Sequence, residues 1–422
     1  MTDSDVHRTI AAVWRIESAR LIAGLARLVR DVGLAEELAQ DALVIALEQW
    51  PESGVPDNPG AWLMATAKHR AIDTLRRQTR YAAKLAEIGR DLEAHRSDVE
   101  SGVDEALDDH IGDDLLRLIF TACHPVLSTD ARVALTLRVL GGLATDEIAR
   151  AFLVPEPTIA QRIVRAKRTL ATRQVPFETP EPDELPERLA SVLEVIYLVF
   201  NEGYSATAGE DWMRPALCEE ALRLGRILAG VAPGEPEVHG LVALMEVQAS
   251  RTRARTGPDG EPVLLLDQDR GRWDRLLIRR GLAALERAES LGRPPGPYLL
   301  QAAIAACHAR AYDPEDTDWE RIAALYQLLA QVSPSPVVEL NRAVAVGMAY
   351  GPRAGLAAVD ALVEQCALSS YALLPAVRGD LLAKLGRDEE AREEFARAAE
   401  LTRNARERVL FLARAGGSGS AD

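Results

Sequence analysis

The sequence predicts an all-α protein in three parts: a front helical bundle, a helix-turn-helix module and a long C-terminal series of paired helices. Three observations carry that prediction. Apolar residues recur at spacings of three and four along nearly the whole chain, the period of an amphipathic helix. Ala, Leu, Arg and Glu dominate, and stretches of alternating β-branched and aromatic residues are almost absent. Proline and glycine gather into short breaks, chiefly at residues 51–59, 176–186, 257–262 and 292–297.

A chain of 422 residues exceeds one ordinary domain. With 48% hydrophobic and 27% charged residues it has the profile of a soluble globular protein. No apolar run is long enough to span a membrane, and the N-terminus lacks an apolar signal core, so a cytoplasmic protein without membrane contact is expected. The four cysteines, Cys123, Cys218, Cys307 and Cys366, have no short paired spacing, which argues against a disulfide framework or a zinc knuckle. The net charge of -15 argues against nucleic-acid binding until its distribution is read. Residues 61–90 and 157–173 are basic islands. Between them, residues 91–116 carry ten acids against Arg96.

The front bundle contains a helix over 35–47, with Leu38, Ala42 and Ile45 on its buried face and Glu37, Gln40 and Asp41 elsewhere. A proline-rich loop over 51–58 follows. The first basic island then places Trp62, Thr66, His69 and Asp73 on one helical stripe, with Arg70, Arg76 and Arg77 around and beyond it. Taken alone, Trp62 reads as a core residue. Beside cations, an aromatic wedge also suits unstacked DNA, where a base stacks on the ring and phosphates meet the arginines.

Just before the second island Thr145 is expected to cap a short helix through Ala151, with Asp146 and Glu147 in its first turn. A turn over 152–156 leads to a second helix with Pro157 near its start. On that helix Ile159, Ile163, Ala166 and Leu170 share one face. Thr158, Gln161, Arg162 and Arg165 share the other. A Gln/Arg face opposite an apolar face is what a recognition helix presents to the major groove, where these side chains make bidentate base contacts. Lys167 and Arg168 would reach phosphates. A solvated face on a structural helix is the plain alternative.

Further on, Gly379, Gly386, Ala391, Phe395 and Ala398 follow the small-residue spacing of a tetratricopeptide unit. Gly351 and Leu356 lie thirty-five residues before Gly386 and Ala391. A helical-repeat extension is therefore expected.

The acidic helix with Gln40-Asp41, the motif Asn58-Pro-Gly-Ala-Trp-Leu63 and the run Arg70-Ala-Ile-Asp-Thr-Leu-Arg-Arg77 together resemble region 2 of RNA polymerase sigma factors. Gly141-Gly-Leu-Ala-Thr-Asp-Glu-Ile-Ala149 followed by Thr158-Ile-Ala-Gln-Arg-Ile-Val-Arg-Ala-Lys-Arg168 resembles region 4. With an acidic connector between them and no region 3, the chain resembles the extracytoplasmic-function group. Three more motifs, at 121–125, 197–204 and 267–274, resemble the subgroup that adds a domain of unknown function and tetratricopeptide-like helices. Members of that subgroup are often encoded beside small YCII-related proteins and generally lack a dedicated anti-sigma factor. This chain departs from the subgroup at Ala122, where a second cysteine is common.

The resemblance implies region 2 over 1–90, an acidic linker over 91–112, region 4 over 113–174, a helical domain of unknown function over 175–290 and helical repeats over 291–415. It implies core RNA polymerase as partner, through the β′ clamp helices and the β flap, and promoter DNA as the other. Glu37, Gln40 and Asp41 would contact the polymerase. Asn58, Trp62, His69, Arg70, Arg76 and Arg77 would hold the melted -10 element, and Thr158, Gln161, Arg162, Arg165, Lys167 and Arg168 the -35 element.

Enzyme chemistry has little support: the acids of 201–204 and 267–274 could form a catalytic carboxylate pair, but no nucleophile–base pattern, phosphate loop or dinucleotide fingerprint is visible; neither cofactor nor metal is expected. The adjacent pairs Cys123-His124 and Cys307-His308 point about 100° apart on a helix and cannot readily share one zinc. In the 267–274 segment, Asp267, Arg270, Trp273 and Asp274 are expected to form a regulatory contact, with Arg270 or Arg272 pairing an acid. A partner protein for the extension is conceivable on its helical grooves. The rival class is a helix-turn-helix regulator whose helical repeats bind a ligand or partner. It leaves the first basic island and the acidic helix without a purpose.

Overall fold

The computed structural model describes residues 3–88, 111–152, 154–206, 213–258, 261–366 and 368–416, with backbone alone at 3–5, 78–88 and 111–112. Most of the acidic connector and the tail beyond Gly416 lie outside the described residues. Among those described there are eighteen α-helices and no strand, apart from an isolated bridge between Thr256 and Pro262. No described helix is long and apolar enough to cross a membrane. The chain forms two compact units, residues 1–196 and 197–422.

In the first unit α1 (Asp3–Val29), α2 (Val32–Ser53) and α3 (Pro59–Ile88) pack together. Their core is the buried line of Ile22, Leu25, Leu38, Trp50 and Leu63. The α1–α2 turn is tight: Arg30 takes a left-handed φ of 54°, and Asp31 caps α2 by accepting from Leu34 N–H at 2.9 Å. Residue Pro51, expected in a loop, instead sits in the last turn of α2. A proline there gives up one bond, from position 51 to the Leu47 carbonyl, and the helix ends two residues later at Ser53. The loop therefore starts at Gly54, whose φ is 83°.

Behind the connector come α4 (Ile111–Ala122), α5 (Thr129–Val139), α6 (Thr145–Ala151) and α7 (Glu156–Thr172). The first half of α8 (Leu185–Tyr204) is fastened to this group. Arg188 donates to the Phe120 carbonyl at 2.9 Å, Ser191 donates to the Cys123 carbonyl at 2.6 Å, and Arg132 pairs with Glu194 at 3.1 Å.

The second unit continues through α9 (Pro215–Val231), α10 (Pro236–Ala249), α11 (Arg275–Ser290), α12 (Pro297–Arg310) and α13 (Trp319–Val332). It ends with α14 (Pro336–Tyr350), α15 (Pro352–Glu364), α16 (Leu373–Lys384), α17 (Asp388–Leu401) and α18 (Ala405–Ala415). The helix α10 is buried nearly all round, which is why its sequence shows little amphipathic period. Glycines bring neighbouring helices close in the repeat-like part. A Cβ added at Gly355 of α15 would stand 2.7 Å from Gly347 Cα and 2.9 Å from the Ala343 carbonyl oxygen of α14. Gly379 of α16 lies similarly against Phe395 and Ala391 of α17. The Gly379 contact joins residues of the expected repeat spacing; Gly355 and Gly347 stand outside that spacing.

Gly355→Ala is expected to destabilise the chain by about 1–3 kcal/mol, since the added methyl meets backbone that cannot rotate away and outweighs the better helix propensity of alanine. Gly230→Ala, where nothing lies within 4 Å, should be neutral or stabilising. Urea unfolding of the two variants checks the contrast.

Candidate nucleic-acid interface

The helix α7 divides its two faces by burial. Ile159, Ile163, Ala166 and Leu170 are buried, while Gln161, Arg165 and Arg168 are exposed and Thr158 is half-buried. The expected cap is displaced by one residue: Ala144 precedes α6, and Glu147 accepts from the Ala144 N–H at 2.8 Å while Thr145 opens the helix. Arg162 is half-buried and pairs with Asp130 of α5 at 2.8 Å, so it is engaged within the module. Lys167 differs most from the outward cation expected of it. Its ammonium is turned inward and donates to Glu36 of α2.

The second basic surface lies on α3. Asn58 caps it, accepting from Ala61 N–H at 3.1 Å. Leu63, Ala67 and Ala71 form the buried face. Trp62 is half-buried and meets Trp50 edge-on, with ring centroids 5.3 Å apart. It is therefore anchored by core packing at one edge while part of it stays open. His69 and Arg76 follow it at successive steps of seven on the same side, and both are exposed, as are Arg70 and Arg77. The Arg70 guanidinium pairs with Asp41 of α2. Both side chains are about half exposed, so this pair contributes about 1 kcal/mol or less.

On α2, Glu37 and Asp41 are exposed. Gln40 is half-buried and its amide donates to Glu36, so it is less free than the acidic-helix reading expects. Sequence reasoning missed Glu36 itself. It is 3% exposed and receives Arg138 Nε of α5 at 2.8 Å as well as Lys167 of α7. The missed signal is its place on the stripe Val32, Ala35, Ala39, Ala42 and Ala46, all buried: a glutamate there needs a partner from another helix. Around this junction Arg27 meets Asp114 at 3.3 Å, and Arg15 meets Glu147 at 3.3 Å. Gly142, at a φ of 66°, allows its turn to lie against Ser18 of α1, whose hydroxyl oxygen would stand 2.8 Å from an added Cβ.

The residues of the 267–274 segment separate. Asp267 is exposed, Asp274 caps α11 by accepting from Leu276 and Leu277 N–H, and Trp273 is 3% exposed in the core. Arg270 is buried, and its partners are neutral: the carbonyls of His308 and Ala311 and the Thr317 hydroxyl. Among the described residues no acid pairs with it, contrary to expectation, because its guanidinium turns inward beside Trp273. Cys123 is buried and its thiol is pushed up to about 11 by that burial, so it is not a ready thiolate. His124 is pushed down to about 4, by burial first and then by Arg188. Its Nδ1 accepts from Val126 N–H at 3.1 Å.

The geometry defines a helical protein with two modules in tandem, each presenting a helix with a cationic outer face. Comparison with known proteins agrees. Residues 16–81 match the model of Sigma-70 region 2, residues 117–170 that of Sigma-70, region 4, and residues 188–289 a family of unknown function (DUF6596). The uncharacterized protein R00370 of Rhizobium meliloti (strain 1021) is 48% identical over 387 residues, covering 92% of this chain and 90% of that protein. The ECF RNA polymerase sigma factor SigK of Mycobacterium ulcerans (strain Agy99) is 30% identical over 162 residues, 36% of this chain and 78% of that protein. The probable ECF RNA polymerase sigma factor SigI of Mycobacterium tuberculosis (strain CDC 1551 / Oshkosh) is 30% identical over 166 residues, 39% of this chain and 55% of that protein. No solved structure matches. The chain belongs to the extracytoplasmic-function family of sigma-70-type RNA polymerase sigma factors, with a helical C-terminal extension that includes the DUF6596 domain. Proteins of this class are transcription initiation factors, not enzymes, and act with core RNA polymerase on promoter DNA.

Glu36→Gln leaves Arg138 and Lys167 without their counter-charge. Both cations are partly exposed, so the expected loss is about 2–3 kcal/mol, below the full cost of breaking a buried pair. Glu37→Gln, one residue away and exposed, should stay within about 0.5 kcal/mol of the native chain. Denaturant midpoints of the two variants measure the difference.

Proposed function

We propose that α7 reads the -35 element and α3 holds the strand-separated -10 element, while Glu37 and Asp41 of α2, with Gln40, meet the β′ clamp helices. The observation that carries this reading is the Gln161–Arg165–Arg168 face, exposed on a helix whose opposite face is core. Gln and Arg at such positions make bidentate base contacts. Arg70, Arg76 and Arg77 serve as phosphate contacts beside Trp62. The region 4 module is the one that faces the β flap. The domain limits that go with this reading are those of the sequence.

The two modules must separate to work in this way. Elements named -35 and -10 lie about 25 base pairs apart, or about 85 Å along straight B-DNA at about 3.4 Å per step. A compact body of about 200 residues has a radius of gyration of about 16 Å. With Lys167 seated on Glu36, the two reading faces cannot both reach their elements. The described arrangement is therefore a closed form, and the acidic connector is the segment that must extend on opening. Its length of roughly 20 residues reaches at most about 70 Å. We further propose that the C-terminal extension regulates how much of the factor is available. Its first contacts with region 4 run through Arg188 and Ser191 of α8, so any shortened form must keep that half-helix.

In vitro transcription with core polymerase on genomic fragments should give initiation from a small promoter set. The chain ended after Ile196 should give a different yield from the full chain at equal folding. No initiation above core polymerase alone, over several salt concentrations, removes the sigma assignment of these faces; equal yields remove the regulatory role.

Arg165→Ala should weaken discrimination at one -35 position by about 1–3 kcal/mol. Arg76→Ala should weaken all promoters alike and flatten the salt dependence of binding. Titrations on matched and mismatched promoters at graded salt separate reading from positioning; the same pattern from both variants would undo the division.

A further inference from the structure

The interior of the second unit holds cations without a counter-charge. Arg270, 6% exposed, has only neutral acceptors, and its guanidinium carbon stands 4.9 Å from the centre of the Trp273 ring. Arg251, in the turn after α10, places its guanidinium over the same ring at 5.8 Å and over Tyr204 at 5.7 Å. Arg255 stacks on Tyr204 at 3.5 Å. Among the described residues no carboxylate lies within ion-pair distance of Arg251 or Arg270, and the Arg251 guanidinium has no hydrogen-bond acceptor. The acids that act on Arg270, namely Asp313, Glu315 and Asp316, do so only at longer range.

The unsatisfied atoms at this cluster share one chemistry. Arg251 Nε, Arg270 Nε and Trp273 Nε1 are buried without partners, and each can only donate. The imidazole of His308 also has a buried Nδ1 without a partner. It is pushed down to about 3, first by burial and then by Arg251 and Arg270, so it adds no positive charge. Cation–π contact with Tyr204 and Trp273 offsets part of the desolvation of the guanidiniums but supplies no acceptor. A set of buried donors and two like charges lacks one thing, an anionic acceptor.

We propose that the Arg251–Arg270–Trp273 cluster binds a small metabolite through an oxyanion, carboxylate or phosphate, which accepts from the guanidiniums and neutralises them. Guanidinium forks match both oxyanions bidentately, and the aromatic rings exclude water around the contact. Binding here does not depend on the sigma assignment. The consequence, that such a ligand sets the output of the extension, rests on the regulatory reading proposed above.

The test is calorimetry and thermal unfolding of the full chain with inorganic phosphate, and separately with acetate, succinate and citrate, at constant ionic strength set with chloride. The expected result is a saturable heat and a raised unfolding temperature with one of the two classes. Phosphate alone or the carboxylates alone then identify the oxyanion. Arg251→Gln should bind at least about tenfold more weakly, as a lost charge-assisted bidentate contact requires. Should that variant not fold, Arg251→Lys replaces it; the lysine keeps the charge but loses the fork, and the same weakening of about tenfold or more is expected. No saturable response from the native chain to any of these probes overturns the site, as does an unchanged affinity in the folded variant. Binding that is present in the native chain, lost in the variant, and without effect on promoter-specific transcription would leave the site standing and refute the regulatory reading instead.

Discussion

Glu36 is the constraint on which the first unit depends. A carboxylate at 3% exposure is tolerated only when cations and hydrogen-bond donors surround it. Here those donors come from three places: Gln40 on its own helix, Arg138 on α5 and Lys167 on α7. Region 2 supplies the acid and region 4 two of the bases. Region 2 supplies no counter-charge for its own buried acid, which depends on region 4 or on water in its place. That is the physical basis for a closed form held by polar contacts. Such contacts can be exchanged for solvent at small net cost, which a hydrophobic seam would not permit.

The same contacts occupy parts of both reading surfaces. Lys167 is held by Glu36, Arg162 by Asp130, and Arg70 by Asp41. Under the proposed function, the acids that hold these cations stand in for DNA phosphate. Gln161, Arg165 and Arg168 remain exposed throughout, and so do His69, Arg76 and Arg77. The arrangement thus engages some cations of the two faces within the unit and leaves others exposed. The net charge of -15 fits this balance, since the basic faces are local and the surrounding surface is acidic.

The extension also buries a carboxylate among cations from other helices: Glu246, 1% exposed, meets Arg226 of α9 at 2.8 Å and Arg280 of α11 at 3.5 Å. Its helices are brought together by glycine contacts and apolar packing, as at Gly355 on Gly347 and Phe395 against Gly379. Its polar interior around Arg251, Arg270 and Trp273 is left incompletely satisfied. Partly satisfied buried networks are costly, and in native proteins they mark positions where something other than stability has been selected. Of the motif at 267–274, noticed for its mixed charges, Gln268, Arg270 and Trp273 belong to that interior, while Asp267, Asp269, Gly271 and Arg272 stay exposed.

Periodicity made much of this legible in the sequence. The buried face of α7, the small-residue pairing of α16 with α17, and the two basic islands in their order follow from local spacing, because a helix maps sequence onto faces by a fixed angle. Resemblance then turned that order into a family. What spacing could not decide was where a charged side chain turns once helices distant in sequence meet. Lys167 and Glu36 are 131 residues apart, and nothing local to either sets the other's direction. Arg270 could have met an acid or a carbonyl, and the choice fell to the backbone of α12 and the turn after it. Sequence alone determined the helices, their inner faces and the class of protein. Tertiary structure decided which charges stay exposed and which are spent on one another, because a buried charge is governed by its neighbours in space and not by those along the chain.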